Sequence, residues 1–302
     1  MKKVAISLGD LNGIGLQLAL ENHHKIKKLC NPIYCIDKVL LNQGAKLLNI
    51  KIPKNFDTIG KYQYFKITPS KISKKSGKFS YDSFMIAINL AKDKKVDAIC
   101  TLPIHKKSWE KAGIKYVGHT DMLRDIFKKD AIMMLGYKKM FVALFTEHIP
   151  LKDVAKNLTY NKLESFLIDF FYSIKQYKKP IAVLGLNPHS GDNGVLGDEE
   201  FIIKKVIKNV NKKLNSKYTL VVPDIAFTPH IRKQYKYFVA MYHDQGLAPL
   251  KALYFDKSIN ISLNLPIIRT SVDHGTAFDI AYSNKQLNSK SYINSIKEAI
   301  TL

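Results

Sequence analysis

Short apolar runs alternate along the chain with segments of helical period. Buried strands are predicted by the runs KKVAISL, NPIYCI, VDAICTLPI, MFVALFT, PIAVLGL and YFVAMY. An amphipathic helix is predicted over 161–176, where one face collects Leu163, Phe166, Leu167, Phe170, Phe171 and Ile174. Nearly continuous apolar strands separated by helices are typical of an α/β protein with a largely parallel or mixed sheet.

Three other segments predict local structure from composition. Residues 54–80 are rich in Lys, Ser and Gly and predict a loop, which a helix from Tyr81 follows. The sequence GDEE at 197–200 predicts a helix start with carboxylates in its first turn. The sequence GLAP at 246–249 predicts a turn.

Histidines follow three of the predicted strands. VALFTEH ends at His148, AVLGLNPH ends at His189 and FVAMYH ends at His243. In open α/β sheets ligands bind beyond the carboxyl ends of the strands, so the three imidazoles can converge on one cleft. Neutral imidazoles are ligands for zinc and related divalent ions. The pattern is equally compatible with three separate histidines that are hydrogen-bonded or exposed.

Two glycine-rich loops also follow predicted strands. GDLNGIG at 9–15 is not a G-x-G-x-x-G fingerprint, and NPHSGDNGVLGDEE at 187–200 lacks the GK[ST] end of a P-loop. A tight turn is the simplest interpretation of the first loop. The second places Asn, His, Ser and Asp among three glycines, which is more polar chemistry than a turn requires.

Length and composition are those of a globular protein. The chain has 302 residues, of which 46% are hydrophobic and 24% charged, enough for one large domain or two medium ones. No apolar run approaches the ~18 residues of a membrane span, and the N-terminal stretch turns to glycine too soon for a secretory signal. Cys30, Cys35 and Cys100 show no CxxC spacing, which favours a reduced, cytoplasmic setting.

The formal net charge of +23 has three possible explanations: a nucleic-acid surface, a field that steers an anionic substrate, or solvated lysines. Lysine is spread along the whole chain, and no basic run is interleaved with aromatic residues as in a stacking platform. We therefore interpret the excess as solvated faces and loops. A basic nucleic-acid-binding protein is the remote alternative, and it would need a clustered basic face and steeply salt-dependent binding.

Four motifs together carry a family resemblance. GHTDML, GLNPHSGDNGVLGDEE, AMYHDQGLAPLK and NISLNLPIIRTSVDHGTAFDIA occur in matching order and closely resemble the 4-hydroxythreonine-4-phosphate dehydrogenase family of pyridoxine 5′-phosphate synthesis. The resemblance runs from the first strand to about residue 285. It implies a two-domain α/β fold of the isopropylmalate-dehydrogenase-like type, with the active-site cleft between the domains. The implied domains are 1–127 plus 264–302, and 128–263 with the metal site and dimer interface.

The resemblance also implies the reaction. It is the NAD- or NADP-dependent oxidation of 4-phosphooxy-L-threonine to 2-amino-3-oxo-4-phosphooxybutanoate, which decarboxylates to 3-amino-2-oxopropyl phosphate. One divalent ion per subunit (Zn, Mg or Co) and a homodimer with the active site at the subunit interface are implied, without a nucleic-acid or membrane partner. A metal-dependent dehydrogenase or decarboxylase of another phosphorylated hydroxy acid is the alternative, because close relatives can share the metal site and differ in substrate.

Residue roles are implied by the same resemblance. The implied metal ligands are His148, His189 and His243. The implied substrate-binding residues are His119, Thr120, Lys251, Asn260 and Arg269. The implied cofactor contacts are Asp273, His274, Gly275, Thr276 and Ala277. Two further carboxylates, Asp224 and Asp244, are candidates to orient a histidine or to carry a proton.

The first glycine loop departs from the family pattern. The family has Gly-Asp-Pro-Ala-Gly-Ile-Gly-Pro-Glu, whereas this chain has Leu11 and Leu16 at the two prolines and Gln17 at the glutamate. His105 stands where the family has asparagine. These differences put a functional role of the first loop in doubt and leave the implied metal and substrate positions intact.

Overall fold

The computed structural model describes residues 1–283 and 285–302, which form ten β-strands and eleven α-helices. The strands are β1 (Lys3–Ser7), β2 (Asn31–Cys35), β3 (Ala98–Thr101), β4 (Ile132–Tyr137), β5 (Met140–Leu144), β6 (Ile181–Leu184), β7 (Tyr218–Val221), β8 (Tyr237–Ala240), β9 (Ile259–Leu263) and β10 (Arg269–Val272). The helices are α1 (Gly15–Lys27), α2 (Lys38–Leu48), α3 (Lys74–Lys92), α4 (Lys106–Lys111), α5 (His119–Phe127), α6 (Val154–Asn157), α7 (Tyr160–Ser173), α8 (Glu199–Leu214), α9 (Pro229–Gln234), α10 (His243–Tyr254) and α11 (Lys290–Thr301).

The chain divides into two compact units. The first unit is Met1–Lys129, Ile259–Ile261 and Leu265–Leu302, and the second is Asp130–Ser258 and Ser262–Asn264. The strand order is β2-β1-β3-β10-β9 in the first and β4-β5-β8-β6-β7 in the second. The pairings β1–β2, β1–β3, β3–β10, β5–β8, β6–β8 and β6–β7 are parallel, and the hairpin β4–β5 is antiparallel. The predicted α/β class with a largely parallel sheet is confirmed.

The strands of the first unit are covered on both faces. Ile6 of β1 belongs to a core that contains Leu18 of α1 and Tyr292 of α11. Its neighbour Ala5 belongs to a second core with Phe84 of α3. Burial on both faces explains why the strand sequences are continuous apolar runs instead of alternating patterns.

The second unit contains the predicted amphipathic helix and the predicted carboxylate-rich helix start. Helix α7 buries Leu163, Leu167, Phe170 and Phe171, which confirms the periodic pattern in that segment. Helix α8 begins directly at Glu199, with both glutamates in its first turn. Carboxylates at that position interact favourably with the positive end of the helix dipole.

The predicted loop over 54–80 is wrong at its end, because α3 begins at Lys74. Ser73 caps the helix and accepts a hydrogen bond from the Ser76 amide at 3.4 Å. Gly77 allows α3 to pass close to α4, since a Cβ atom there would overlap the main chain of Ser108. Tertiary packing thus extends a helix through a segment whose composition is typical of a loop.

The predicted turn over GLAP is also wrong, since these residues lie inside α10. Gly246 packs on β5 and β8, where a Cβ atom would overlap Val142 and lie 2.9 Å from the Ala240 side chain. Leu247 and Leu250 are buried at helical spacing. Apolar burial against the sheet therefore keeps the helix continuous through Pro249, although that proline lacks the N–H of a regular turn.

None of the helices in the described part of the chain combines the length and the apolar character that a membrane crossing requires. The three thiols of Cys30, Cys35 and Cys100 are free and buried.

Candidate active site

The three strand-end histidines emerge at one edge of the second unit's sheet. His148 follows β5, His243 follows β8 and His189 follows β6. These strands are neighbours in the order β5-β8-β6 and run parallel. The carboxyl ends of parallel neighbours lie side by side, so the arrangement brings the three histidine-bearing segments to a common edge.

Two of the three imidazoles face each other. The ring centroids of His148 and His243 are 5.5 Å apart, with 41° between the ring planes. Two imidazoles that bind one zinc ion through nitrogens at about 2.1 Å have ring centres ~5 Å apart. His243 Nδ1 lies 2.6 Å from Asp244 Oδ1, which directs the other ring nitrogen, Nε2, to a ligand. The pair thus fits a shared divalent ion, with Asp244 as the group that orients His243.

His189 lies on the loop after β6, beside a cavity of about 280 Å³. The same cavity is lined by Asn187, Asp224, Tyr242 and Gln245. Within residues 1–283 and 285–302, no three His, Cys, Asp or Glu side chains stand in a metal-binding arrangement. The fold therefore brings the His189 segment to the same edge as the other two histidines, and the ring itself is not placed with them.

Hydrogen bonds tie the main chains of the three histidine-bearing segments together. Thr146, two residues before His148, donates from Oγ1 to Met241 O at 2.6 Å. The Met241 amide in turn donates to Gln245 Oε1, and Gln245 Nε2 donates to Gly185 O, both at 2.7 Å. Thr146 and Gln245 have no role in the sequence interpretation, because Thr146 is 95 residues from Met241 and Gln245 is 60 residues from Gly185 in the chain.

A buried guanidinium lies in the first unit. Arg269, at the start of β10, is 2% exposed. Its Nε and Nη2 donate to Thr101 Oγ1 at 3.2 and 2.8 Å, and its Nη1 donates to Asn260 Oδ1 at 3.4 Å. Both of these acceptors are neutral, and they fix the orientation of the guanidinium. Burial lowers the pKa of Arg269 to about 10, which leaves it protonated at neutral pH.

His119 and Thr120 begin α5 in the same unit and are both buried. The His119 ring stands edge-on to Phe84 and Trp109, with centroid distances of 4.6 and 5.7 Å. Its Nε2 has no hydrogen-bond partner among the described residues. Burial, and then the nearby Arg269 charge, lowers the pKa of His119 well below its usual range, so the ring is neutral at pH 7. A fixed cation beside a neutral donor group suits a phosphate or carboxylate ligand.

Lys251 lies in α10 of the second unit, and no turn directs it. Its ammonium group is 5.6 Å from the ring centre of Phe255, one turn further along the helix. The predicted turn over GLAP therefore does not orient this lysine, which projects from a helix.

The predicted cofactor segment, Asp273 to Ala277, packs against the first glycine loop. The Ile14 amide donates to Thr276 O at 3.1 Å. A Cβ atom on Gly13 would lie only 2.8 Å from Thr276 O, so the two backbones approach too closely for any side chain there. The Asp273 amide donates to Ser291 Oγ at 3.0 Å, and His274 Nδ1 lies 3.0 Å from Gly275 O. The first loop thus supports the cofactor segment by close packing.

A carboxyl group that sequence reasoning missed lies in the first glycine loop. Asp10 is fully buried, and its Oδ1 accepts hydrogen bonds from the Asn12 amide at 3.0 Å and from the Ser76 hydroxyl. Burial raises its pKa. His105, which stands where the family has asparagine, stacks on Phe278 with the ring centroids 4.6 Å apart. Two features of the sequence pointed to Asp10: its position after a strand and its match to the aspartate of the family's first loop.

The chain is similar over its full length to known proteins. The family model "Pyridoxal phosphate biosynthetic protein PdxA" matches residues 28–299. A 4-hydroxythreonine-4-phosphate dehydrogenase of Sulfurimonas denitrificans is 61% identical, with 99% of this chain and 97% of the relative covered. One of Campylobacter fetus subsp. fetus is 52% identical, with 100% of this chain and 98% of the relative covered.

Solved structures resemble the whole chain as well. The crystal structure of 4-hydroxythreonine-4-phosphate dehydrogenase from Klebsiella pneumoniae superposes with a TM-score of 0.84 at 31% identity, covering 99% of this chain and 97% of that one. This likeness confirms the predicted isopropylmalate-dehydrogenase-like fold. With a family model that spans nine-tenths of its residues, the chain belongs to the PdxA family of pyridoxal phosphate biosynthetic proteins.

Proposed function

We propose that the chain oxidises 4-phosphooxy-L-threonine with NAD or NADP to 2-amino-3-oxo-4-phosphooxybutanoate, which decarboxylates to 3-amino-2-oxopropyl phosphate. Relatives with 61% and 52% identity carry the name of that dehydrogenase and support the reaction class. The feature of this chain that carries the proposal is the buried guanidinium of Arg269, held by Thr101 and Asn260 beside His119. A buried guanidinium beside a buried imidazole is suited to binding a phosphate or carboxylate group of a substrate, which supports an anionic substrate.

Substrate anions are assigned to Arg269, Asn260, His119, Thr120 and Lys251. The guanidinium offers a planar fork, the Thr120 hydroxyl and the Asn260 amide offer neutral donors, and the lysine offers a point charge. Because Arg269 is already oriented by Thr101, little side-chain freedom is lost when an anion binds. These residues hold the substrate in place while its hydroxyl-bearing carbon loses hydride to the nicotinamide.

A divalent ion is assigned to His148, His189 and His243, with the facing pair of His148 and His243 as support. When bound, such an ion supplies Lewis acidity at the substrate's hydroxyl and later carbonyl oxygen. Asp244 keeps the His243 ring in the orientation that presents Nε2, and Asp224 lines the same cavity as His189 and is a candidate proton carrier.

The nicotinamide cofactor is assigned to the segment after β10, namely Asp273, His274, Gly275, Thr276 and Ala277. A homodimer with the active site at the subunit interface completes the proposal, and sedimentation equilibrium tests it.

The first test measures the absorbance of the reduced nicotinamide, NADH or NADPH, that forms from 4-phosphooxy-L-threonine and NAD or NADP. The measurement is made before and after a chelator is added. We expect turnover that stops with the chelator and returns with a divalent ion. Turnover that ignores the chelator would exclude the metal assignment and keep the dehydrogenase. If the metal-loaded protein shows no turnover with either cofactor, the proposed substrate is wrong. Other phosphorylated hydroxy acids would then be tested as substrates.

The second test replaces the histidines one at a time. Each substitution should abolish turnover and lower zinc affinity at least ~10-fold, because it removes one ligand of the ion. The three variants are His148→Ala, His189→Ala and His243→Ala. The matched control is His24→Ala, which removes an exposed histidine of α1 and should leave both quantities unchanged. Zinc affinity is measured by calorimetry on chelator-treated protein. Wild-type affinity and turnover in His243→Ala would contradict the site.

A further inference from the structure

One buried carboxylate anchors the segment that leads into His189. Glu200, in the first turn of α8, is 3% exposed. Its Oε1 accepts hydrogen bonds from the amides of Leu186 and Asn187, both at 2.7 Å. Its Oε2 accepts from Asn187 Nδ2 at 2.9 Å. The carboxylate thus holds two successive residues of the chain just before Pro188 and His189.

The loop beyond this anchor has an unusual backbone. His189, Ser190, Asp192 and Asn193 all have left-handed φ angles, from 42° to 56°, and Gly191 between them has φ 76°. Side-chain-bearing residues adopt this conformation at a cost, so the surrounding structure must impose it. The left-handed φ of His189 determines the direction in which its side chain leaves the main chain. If the loop relaxed to the common negative φ, the imidazole would leave the main chain in a different direction.

Glu200 is the centre around which this loop closes. A Cβ atom on Gly191 would lie 2.6 Å from Glu200 Oε2 and 2.7 Å from Gly197 O. The loop therefore wraps directly over the carboxylate. Since the carboxylate accepts hydrogen bonds on one side and fills the space under Gly191 on the other, its removal would release both the entry to the loop and its middle.

We propose that Glu200 is a positioning residue for His189, which fixes the backbone of residues 186–191 so that only the torsions of the His189 side chain remain to be set by a bound divalent ion. This inference rests on the proposed metal site. A general role at the helix start would be shared by the adjacent Glu199, whose Oε2 accepts a hydrogen bond from the Asn187 side chain, through Nδ2 at 2.7 Å. Of the two glutamates, Glu200 is the one that accepts hydrogen bonds from main-chain amides of the segment before His189 in the described part of the chain, so the two form a matched pair for a test.

The experiment measures zinc binding by calorimetry on chelator-treated wild type, His189→Ala, Glu200→Ala, Glu200→Gln and Glu199→Ala. Glu200→Ala should bind zinc about 10- to 100-fold more weakly than wild type, as when a partner of a metal ligand is lost. Glu200→Gln keeps an oxygen acceptor for the two amides and should stay within about threefold of wild type, as should Glu199→Ala. Melting temperatures of the metal-free variants separate loss of fold from loss of ligand placement.

The outcomes separate this inference from the metal assignment. If His189→Ala loses zinc and Glu200→Ala binds it like wild type, the role of Glu200 is wrong and the metal site stands. If wild type binds no zinc, or His189→Ala binds it equally well, the metal site and this inference both fail. Should Glu200→Ala not fold, Glu200→Asp, which withdraws the carboxylate by one methylene, must show the loss. Wild-type affinity there overturns the proposal.

Discussion

At the scale of single residues, the guanidinium of Arg269 is a buried charge held by several hydrogen bonds. It is buried, and the hydroxyl of Thr101 accepts from two of its nitrogens. A lysine at the same place would carry the charge at one point and could not make both hydrogen bonds in the same geometry. The neutral His119 ring adds a polar atom near this guanidinium and no charge of its own.

Arg269→Lys should therefore raise KM for the phosphorylated substrate about 10- to 100-fold, which corresponds to about 1.4 to 2.7 kcal/mol of lost binding. The turnover number should change less, because the reacting carbon is not its direct partner. The control is Arg232→Lys in α9, whose Nε donates to Phe227 O, and its KM should equal that of wild type. Steady-state kinetics at pH 7.5 measures both, and an unchanged KM in Arg269→Lys would contradict the assignment.

At the scale of elements, the loops after β1 and β10 are held together by close backbone approach. A Cβ atom on Gly13 would lie 2.8 Å from Thr276 O in the loop after β10. The loop after β3 approaches as closely, since a Cβ atom on Gly9 would overlap Pro103 O. Gly9 has a φ of 68°, the left-handed region that favours glycine. The prolines that the family has in the first loop are absent here, and the glycines that permit the approach are retained.

Gly13→Ala should raise KM for the nicotinamide cofactor several-fold, because the added methyl group displaces the main chain of Thr276 in the predicted cofactor segment. Gly113→Ala is the control. It meets no atom within 4 Å, although its φ of 76° costs some stability, so it should lower the melting temperature and leave the cofactor KM unchanged. Kinetics with varied NAD tests this. Equal cofactor KM values in Gly13→Ala and wild type would exclude Thr276 from the cofactor site.

At the scale of the whole molecule, the net charge of +23 is the dominant electrostatic property. The lysines that form ion pairs do so mostly at exposed positions, such as Lys107 with Glu110 and Lys128 with Asp125. Exposed pairs contribute little to stability. Most of the positive charge is therefore a source of repulsion between parts of the folded surface.

Raising sodium chloride from 10 to 150 mM should consequently raise the melting temperature by a few degrees, because the screening length falls from about 30 to 8 Å. Chelator-treated protein is used so that trace metal ions do not contribute. Scanning calorimetry at both salt concentrations measures the shift. A melting temperature that falls with salt would show that attractive pairs outweigh the repulsion.

The sequence by itself determined the α/β class, most of the strands and the placement of a histidine after each of three of them. These features depend on local periodicity and on where an apolar run stops, which are properties of neighbouring residues. The family motifs identified candidate site residues, such as Arg269 and His189. They said nothing about what holds those residues in place.

Only the tertiary structure decided which segments became partners. Helix α3 starts at Lys74 because Gly77 packs on Ser108, and α10 runs through Pro249 because its apolar face is buried on β5 and β8. Thr101 fixes Arg269 from 168 residues away. Glu200 was visible in the sequence merely as a favourable charge at a helix start. Its hydrogen bonds to the amides before His189 exist because folding returns α8 to the end of β6, and such long-range contacts leave no periodic signal in the chain.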